Sequence, residues 1–166
     1  MNRLFILMIA TMLAISASAQ TLTSPDGNLV MKFELTKKGK PTYTLSYKGQ
    51  EVVRPSALGF EFVDNAYENY GAFYHTPKRP IYSMREGFSL KGTETATFDE
   101  TWQPVWGECS HIRNNYNELL VKLYRDERKF LLNIRFRLYN DGLGFRYEFP
   151  QQTSKRRAYF VIKEEY

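Results

Sequence analysis

Two tryptophans flanked by acidic residues form the part of the sequence best suited to binding a ligand. Trp102 and Trp106 lie four residues apart on either side of Pro104, with Glu100 before them and Glu108 after them. Indole faces stack on sugar rings, and carboxylates accept hydrogen bonds from sugar hydroxyls. This segment is therefore a candidate carbohydrate surface. The alternative is that both indoles pack in a core or against another domain, which is the commoner environment of tryptophan.

Two pairs of adjacent carboxylates are weaker candidates for chemistry. They are Asp99 with Glu100 and Glu164 with Glu165. Glycoside hydrolysis needs two carboxylates that face each other across roughly 5–10 Å. Neighbouring residues of a strand point to opposite faces, so neither pair can act alone. We interpret them as exposed strand residues.

Histidine and cysteine are too sparse to form a familiar reactive centre. His75 and His111 are the only histidines, Cys109 is the only cysteine, and no nucleophile motif accompanies them. One cysteine excludes an internal disulfide, and no Cys/His cluster has zinc-site spacing. The sequence therefore predicts no catalytic residue and no metal ligand in this chain.

The charge balance argues against a nucleic-acid partner. The 166 residues carry a formal net charge of +5 and are 16% aromatic. Lysines and arginines alternate with apolar residues or lie beside acids, whereas nucleic-acid binding needs them gathered on one face. The aromatic content can build a packed core, and the length suits one domain rather than a large multidomain enzyme.

The first 19 residues have the layout of a secretory signal peptide. Arg3 supplies a positive start, Leu4 to Ile15 an apolar run, and residues 17–19 (ASA) a cleavage signal. The apolar run is shorter than the roughly 20 residues that span a bilayer. We expect cleavage between Ala19 and Gln20, which would leave an exported protein, in the bacterial periplasm, without a membrane attachment.

Period-two alternation of apolar and polar residues after the leader predicts an all-β, antiparallel structure. In the clearest strand, residues 130–139, Leu132, Ile134, Phe136 and Leu138 share one face. The other predicted strands are 28–35, 42–47, 51–53, 56–63, 118–124, 143–149 and one from 159. Residues 64–85 are expected to be an irregular connection, and the charged segment 125–129 is expected to face solvent. Nine or ten strands favour a β-sandwich, because an open sheet of that size would expose one aromatic face.

The last predicted strand begins at Tyr159, seven residues before the sequence ends at Tyr166. We expect it to lack a partner, which would leave an unpaired edge. The sandwich is therefore predicted to be incomplete at its C-terminus.

Three segments resemble the N-terminal domain of glycoside hydrolase family 97, which comprises bacterial α-glucosidases and α-galactosidases. They are residues 22–29 (LTSPDGNL), 95–119 (TATFDETWQPVWGECSHIRNNYNEL) and 134–152 (IRFRLYNDGLGFRYEFPQQ). The resemblance implies a galactose-mutarotase-like super-sandwich over residues 20–166, followed by a catalytic (β/α)8 barrel that this chain does not contain. It also implies calcium near the barrel carboxylates of the full-length enzyme, with the acidic calcium ligand of the N-terminal domain beyond Tyr166. No catalytic or calcium-binding residue of the family falls on this chain.

The resemblance predicts a non-catalytic scaffold that rims the active-site pocket of an enzyme acting on α-glucosides or α-galactosides. The residues expected to face the barrel or an oligosaccharide are Trp102, Trp106, Glu108, Asn117 and Glu118. Two alternatives remain open. The chain is a free-standing carbohydrate-binding module, or it is a fragment that does not fold stably by itself.

Overall fold

The computed structural model of the protein describes residues 19–64, 81–152 and 160–165, and in them the chain forms antiparallel β-strands and one short 3-10 turn. The strands are β1 (Gln20–Thr23), β2 (Leu29–Leu35), β3 (Pro41–Tyr47), β4 (Gln50–Ala57), β5 (Phe60–Asp64), β6 (Ile81–Ser83), β7 (Ser89–Trp102), β8 (Ile112–Arg125), β9 (Phe130–Leu138), β10 (Leu143–Glu148) and β11 (Phe160–Glu165). The predicted all-β class is confirmed. Among the residues described, no helix has the length and apolar character needed to cross a membrane.

The first sheet is a meander in the order β1-β2-β3-β4, and its last three strands correspond to the predicted segments 28–35, 42–47 and 51–53. Leu29, Met31 and Phe33 point into the core from alternate positions of β2. Lys48 and Gly49 make the turn between β3 and β4 with φ of 49° and 81°. A two-residue hairpin turn of this kind needs positive φ at both central positions, which is why a glycine is useful there.

The second sheet has the order β10-β9-β8-β7 and packs its inner face on the first sheet. All four residues predicted to share one face of β9 are buried: Leu132, Ile134, Phe136 and Leu138. Across the sandwich, the Phe136 ring centroid lies 5.9 Å from that of Phe33 on β2. The β-sandwich prediction is thereby confirmed.

The strand predicted over residues 56–63 is in fact two strands in different sheets. Ala57 ends β4 and Phe60 begins β5, because the chain turns at Gly59, where φ is 154°. A Cβ at Gly59 would lie 2.8 Å from the Met84 carbonyl oxygen, so no larger residue fits without a shift. The apolar side chains at alternate positions of this segment, those of residues 58, 60 and 62, are nevertheless all buried.

The last strand has a partner, so the expectation of an unpaired strand was wrong. β11 pairs antiparallel with β5, with Phe160 opposite Asp64 and Ile162 opposite Phe62. The third sheet therefore has the order β11-β5-β6. The two paired segments lie about a hundred residues apart in sequence, and alternation within one strand carries no information on so distant a partner.

The charged segment 125–129 is only partly exposed. Asp126–Arg128 form the 3-10 turn and are exposed, but the Arg125 side chain folds inward. Its guanidinium donates to the Ser83 carbonyl and pairs with Glu127 at 2.7 Å. Arg125 therefore ties the end of β8 to the end of β6.

Replacing Ser24 with alanine is expected to lower the free energy of unfolding by about 1–3 kcal/mol. Ser24 is buried, and its hydroxyl accepts a 2.9 Å hydrogen bond from the Leu29 amide while donating to the Asp26 carboxylate. The variant would leave the buried Leu29 amide without this acceptor. Urea denaturation measures the change. Ser89 is the control, because its exposed hydroxyl bonds the Tyr124 carbonyl where water can replace it; an equal loss in Ser89→Ala would contradict the prediction.

Candidate functional site

The β7–β8 hairpin carries most of the residues predicted to be functional. Its two strands pair along their whole length, with Phe98 opposite Tyr116 and Trp102 opposite Ile112. Residues directly opposite each other in an antiparallel pair share a face. These four side chains therefore lie on the same face of the sheet as Glu118, and that face is turned away from the core. We call it the outer face.

The sequence analysis interpreted Asp99 and Glu100 as exposed strand residues, and both lie in β7, which extends to Trp102. It began the next strand at residue 118, whereas β8 begins six residues earlier, at Ile112. Nearly all of β7 is exposed on both faces. With no buried face, its apolar residues do not follow the regular alternation that reveals a strand in a sequence.

The structure places two of the five predicted site residues on one face but far apart, because Trp102 is paired with Ile112, about 20 Å along the strand from Glu118. Trp102 and Glu118 lie on the outer face, whereas Trp106 and Glu108 belong to the loop between the strands. The two indoles are 46% and 87% exposed, so neither is in the core. Asn117 points to the inner face, where its amide donates to the Thr23 carbonyl at 2.7 Å. That these residues face an oligosaccharide or the catalytic barrel stays a prediction.

Glu118 lies in a charged cluster that spans three strands of the outer face. Its carboxylate accepts hydrogen bonds from Arg135 and from Arg137, the latter at 2.8 Å. Arg135 also bonds Glu148 through its Nε at 2.6 Å, and Arg146 reaches Glu148 at 2.8 Å. Glu118 is only 8% exposed, although no other strand covers it in the part of the chain described. The arginines themselves shield it.

The arginines hold both carboxylates of the cluster ionised. Burial raises the pKa of Glu118, but the hydrogen bonds from Arg137 and Arg135 outweigh it and the pKa lies below its ordinary value. The Arg135 guanidinium is the main reason that the pKa of Glu148 is also lowered. Neither carboxyl is poised to exchange a proton near neutral pH, so neither is suited to general acid catalysis.

An aromatic strip continues the cluster toward the hairpin tip. We define this strip as Phe98, Trp102, Ile112, Tyr116 and Tyr139. The Arg137 guanidinium carbon lies 4.6 Å from the centroid of the Tyr116 ring. The Phe98 ring stacks on the same Tyr116 ring, with 5.2 Å between centroids and an interplanar angle of 22°. The Tyr139 ring centroid is 5.1 Å from that of Tyr116. Tyr116 is consequently only 6% exposed, on a face that none of the described strands covers.

The sequence interpretation missed this arrangement, although one signal was present. Arg135, Arg137 and Tyr139 alternate with the core residues of β9, which places them on the opposite face. The sequence analysis noted only that arginines alternate with apolar residues, and it assigned no partner to these side chains. The neighbouring strands supply carboxylates, Glu118 on β8 and Glu148 on β10. Their pairing with the arginines distinguishes a charged cluster from a solvated face.

Beside the cluster is a shallow pocket of about 190 Å³, which is below the roughly 300–1,000 Å³ of typical ligand sites. It is lined by Arg135, Arg137, Tyr139, Gly144, Phe145 and Arg146.

The carboxylate of Asp99 on β7 is also paired, because Arg113 on β8 binds both of its oxygens at 2.8 Å. In the described residues, no three His, Cys, Asp or Glu side chains form a group able to hold a metal ion.

Stability is expected to fall in acid because of Glu118 and Glu148. Their pKa values in the folded protein lie below the ordinary 4.5, so the stabilisation is present above pH 4.5 and is lost as pH falls through the lowered values. Urea midpoints measured from pH 7 down to about pH 3 should decline below about pH 4.5. The Glu118→Gln variant should decline less steeply over this range, and equal slopes in the two proteins would contradict the assignment.

The paired sheets and their shared apolar core define the protein as an antiparallel β-sandwich domain. The particular family follows from comparison with known sequences. The chain belongs to the glycosyl-hydrolase 97 N-terminal family, whose model matches residues 22–166. The resemblance inferred from the three sequence segments is therefore confirmed.

Relatives of known activity are much longer than this chain. A retaining α-galactosidase of Bacteroides thetaiotaomicron is 30% identical over 150 residues, which cover 89% of this chain and 19% of that protein. A glycoside hydrolase family 97 enzyme from Pseudoalteromonas sp. strain K8, solved in complexes with panose and with acarbose, aligns with a TM-score of 0.70 and 26% identity. The alignment covers 88% of this chain and 19% of that enzyme. A β-arabinopyranosidase aligns with a TM-score of 0.68 and 25% identity, over 88% of this chain and 20% of the other.

Proposed function

We propose that this chain is the non-catalytic N-terminal domain of an exported glycoside hydrolase that acts on α-glucosides or α-galactosides. In this role it supports a catalytic (β/α)8 barrel and rims its active-site pocket with the segment from Trp102 to Glu118. One observation carries the proposal. The family match extends over residues 22–166, yet the same region makes up only about a fifth of a retaining α-galactosidase.

The range of sugars among the relatives supports a scaffolding role. The names of these proteins refer to α-galactoside hydrolysis, to complexes with panose and acarbose, and to β-arabinopyranoside hydrolysis. The matched domain is nevertheless similarly related to this chain in all of them, at 25–30% identity. A domain shared by enzymes with such different sugars is suited to hold the catalytic part rather than to select the substrate.

Calcium near the barrel of the full-length enzyme is part of this proposal, and the outer-face cluster of this chain is not suited to hold it. Calcium needs six to eight oxygen ligands, usually with several carboxylates among them. Glu118 and Glu148 are the acidic residues of the outer-face cluster, and the carboxylates of both form ion pairs with arginines. We therefore propose that the calcium ion lies near the barrel carboxylates and that the acidic ligand of the N-terminal domain comes from beyond Tyr166. The proposal of export to the periplasm is supported by the signal-peptide layout of residues 1–19.

A free-standing carbohydrate-binding module is the second candidate function, and the exposed indoles of Trp102 and Trp106 favour it. Isothermal titration of the purified chain with maltooligosaccharides and with galactosides separates the two functions. A scaffold should give no binding heat with either sugar. A module should bind one of them, and Trp106→Ala should then weaken the binding about tenfold or more, because a sugar-stacking indole contributes of the order of 1–3 kcal/mol.

A further inference from the structure

The shallow pocket beside the charged cluster is open because Gly144 has no side chain. Gly144 lies on β10 directly opposite Arg137 on β9, and Arg137 is in turn opposite Glu118 on β8, so all three lie on the outer face. A Cβ added to Gly144 would meet no atom within 4 Å. A larger residue at this position would therefore project into the space that forms the pocket.

Neither the backbone nor the packing of the strand requires a glycine at this position. Gly144 is not among the glycines with positive φ, and β10 pairs with β9 from Leu143 to Glu148 without a bulge. No described atom lies where the Cβ would be. A glycine inside a regular strand weakens it, and apart from bulges and bends it marks a place where a ligand or another backbone approaches closely. The empty position therefore points to a ligand.

The lining of the pocket is cationic. Arg135, Arg137 and Arg146 contribute to it, whereas none of the described acidic residues does. The carboxylates that pair with these arginines lie to the sides, with Glu118 on β8 and Glu148 two residues beyond Arg146 on β10. The pocket itself is consequently a region of positive potential.

Hydrogen-bond donors remain for a ligand on several sides of the pocket. Arg137 donates through Nε to Glu118 at 2.8 Å, and its two terminal nitrogens have no hydrogen-bond partner among the described residues. Arg146 uses Nε and one terminal nitrogen for Glu148, so its other terminal nitrogen remains. The Tyr139 hydroxyl, which also has no partner in the described part of the chain, can donate as well. Guanidinium groups form strong charge-assisted hydrogen bonds with carboxylate and phosphate oxygens.

We propose that this pocket binds a small oxyanion, the carboxylate or phosphate group of a solute, above Gly144 and between Arg137, Arg146 and Tyr139. With about 190 Å³ the pocket holds the anionic group, and the rest of a larger solute extends into solvent. An acidic sugar and a free inorganic anion share this chemistry. The inference goes beyond the proposed function, because neither a scaffold nor a module for neutral sugars requires an anion.

Titration of the 166-residue chain followed by heteronuclear NMR tests the proposal. The probes are sodium glucuronate, sodium phosphate and glucose, with the ionic strength held constant by sodium chloride. The Gly144 amide signal and the Arg146 Nε signal should shift and saturate with an anion, with half of the effect at about 1 mM. The Arg113 Nε signal should not shift. It is the internal control, because Arg113 is 62% exposed against 61% for Arg146 and pairs with Asp99 on the other face.

The three probes distinguish the sources of the anion. Saturable shifts with both anions assign the site to the oxyanion group alone. Shifts with glucuronate alone assign it to a carboxylate carried by a sugar, and shifts with phosphate alone assign it to the inorganic ion; each of these results supports the proposal. The absence of a saturable shift with either anion, an equal effect of glucose, or equal shifts of the Gly144 and Arg113 signals would overturn it.

Gly144→Val separates anion binding from folding. Valine suits a strand better than glycine and its side chain has room here, so the melting temperature should not fall. Because the side chain fills the pocket, anion binding followed at the Arg146 Nε signal should weaken about tenfold or more. Unchanged affinity in a folded Gly144→Val variant would contradict the site.

Arg146→Gln tests the lining of the pocket without filling it. Binding followed at the Gly144 amide should weaken about tenfold, which corresponds to about 1.4 kcal/mol. Arg113→Gln is the matched control, because Arg113 has the same exposure and also pairs with one carboxylate, and it should leave the affinity unchanged. Equal weakening in both variants would show a response to the net charge of the chain and would overturn the proposal.

Discussion

Replacing Phe136 with alanine is expected to lower the free energy of unfolding by about 3–5 kcal/mol. Phe136 is fully buried at the centre of the second sheet. Its ring contacts Phe33 at 5.9 Å and Tyr43 at 6.4 Å, both on the first sheet, and Phe145 at 6.0 Å. Truncation would leave a cavity between the two sheets, and the loss is a large part of the roughly 5–15 kcal/mol that stabilises a typical domain.

Equilibrium unfolding in urea, followed by aromatic fluorescence, measures this loss. Phe145→Ala is the matched control, because the Phe145 ring touches Phe136 and Tyr43 but is partly exposed at the edge strand β10. It should cost clearly less than Phe136→Ala. A larger loss at Phe145 than at Phe136 would contradict the placement of the core between the sheets.

Replacing Glu118 with alanine is expected to have the second large effect, lowering the free energy of unfolding by about 2 kcal/mol. Removing one member of a fully buried ion pair costs roughly 3–5 kcal/mol, and we expect less here because Arg135 and Arg137 are partly exposed. The variant leaves Arg137 without a carboxylate and Arg135 with Glu148 alone. Two arginines on adjacent positions of one strand face would then repel each other.

Glu118→Gln distinguishes the charge from the packing. It keeps a side chain of the same size and an oxygen that can accept from Arg137, so it should recover part of the loss. Glu94→Ala is a second control, since Glu94 forms an exposed pair with Lys122 and should change stability by less than about 1 kcal/mol. A cost for Glu118→Ala no greater than for Glu94→Ala would show that the cluster does not stabilise the sheet.

Strands with one buried face could be predicted from the sequence, and those without one could not. Leu132 to Leu138 on β9 and Leu29 to Phe33 on β2 alternate because each strand has the core on one side only. β7 has solvent on both sides over most of its length, so its sequence lacks a regular period. The partner of β11 was also beyond prediction, because pairing with β5 depends on the folded arrangement of distant segments.

The candidate site was predicted in part. The segment around Trp102 and Trp106 was selected for its residue types, and the structure places both indoles at the surface. The charged cluster was missed, since pairing of Glu118 with Arg135 and Arg137 depends on the register of β8 against β9. The family came from the resemblance of long segments. Periodicity alone could indicate a β-sandwich and nothing more specific.

Hydrolysis of aryl α-glucosides and aryl α-galactosides tests the central proposal most directly, when the 166-residue chain is compared with the product of the complete reading frame. The proposal predicts release of the aryl group by the longer protein and none above the buffer rate by the chain. Release that increases in proportion to the concentration of the purified chain would contradict a non-catalytic role for this domain.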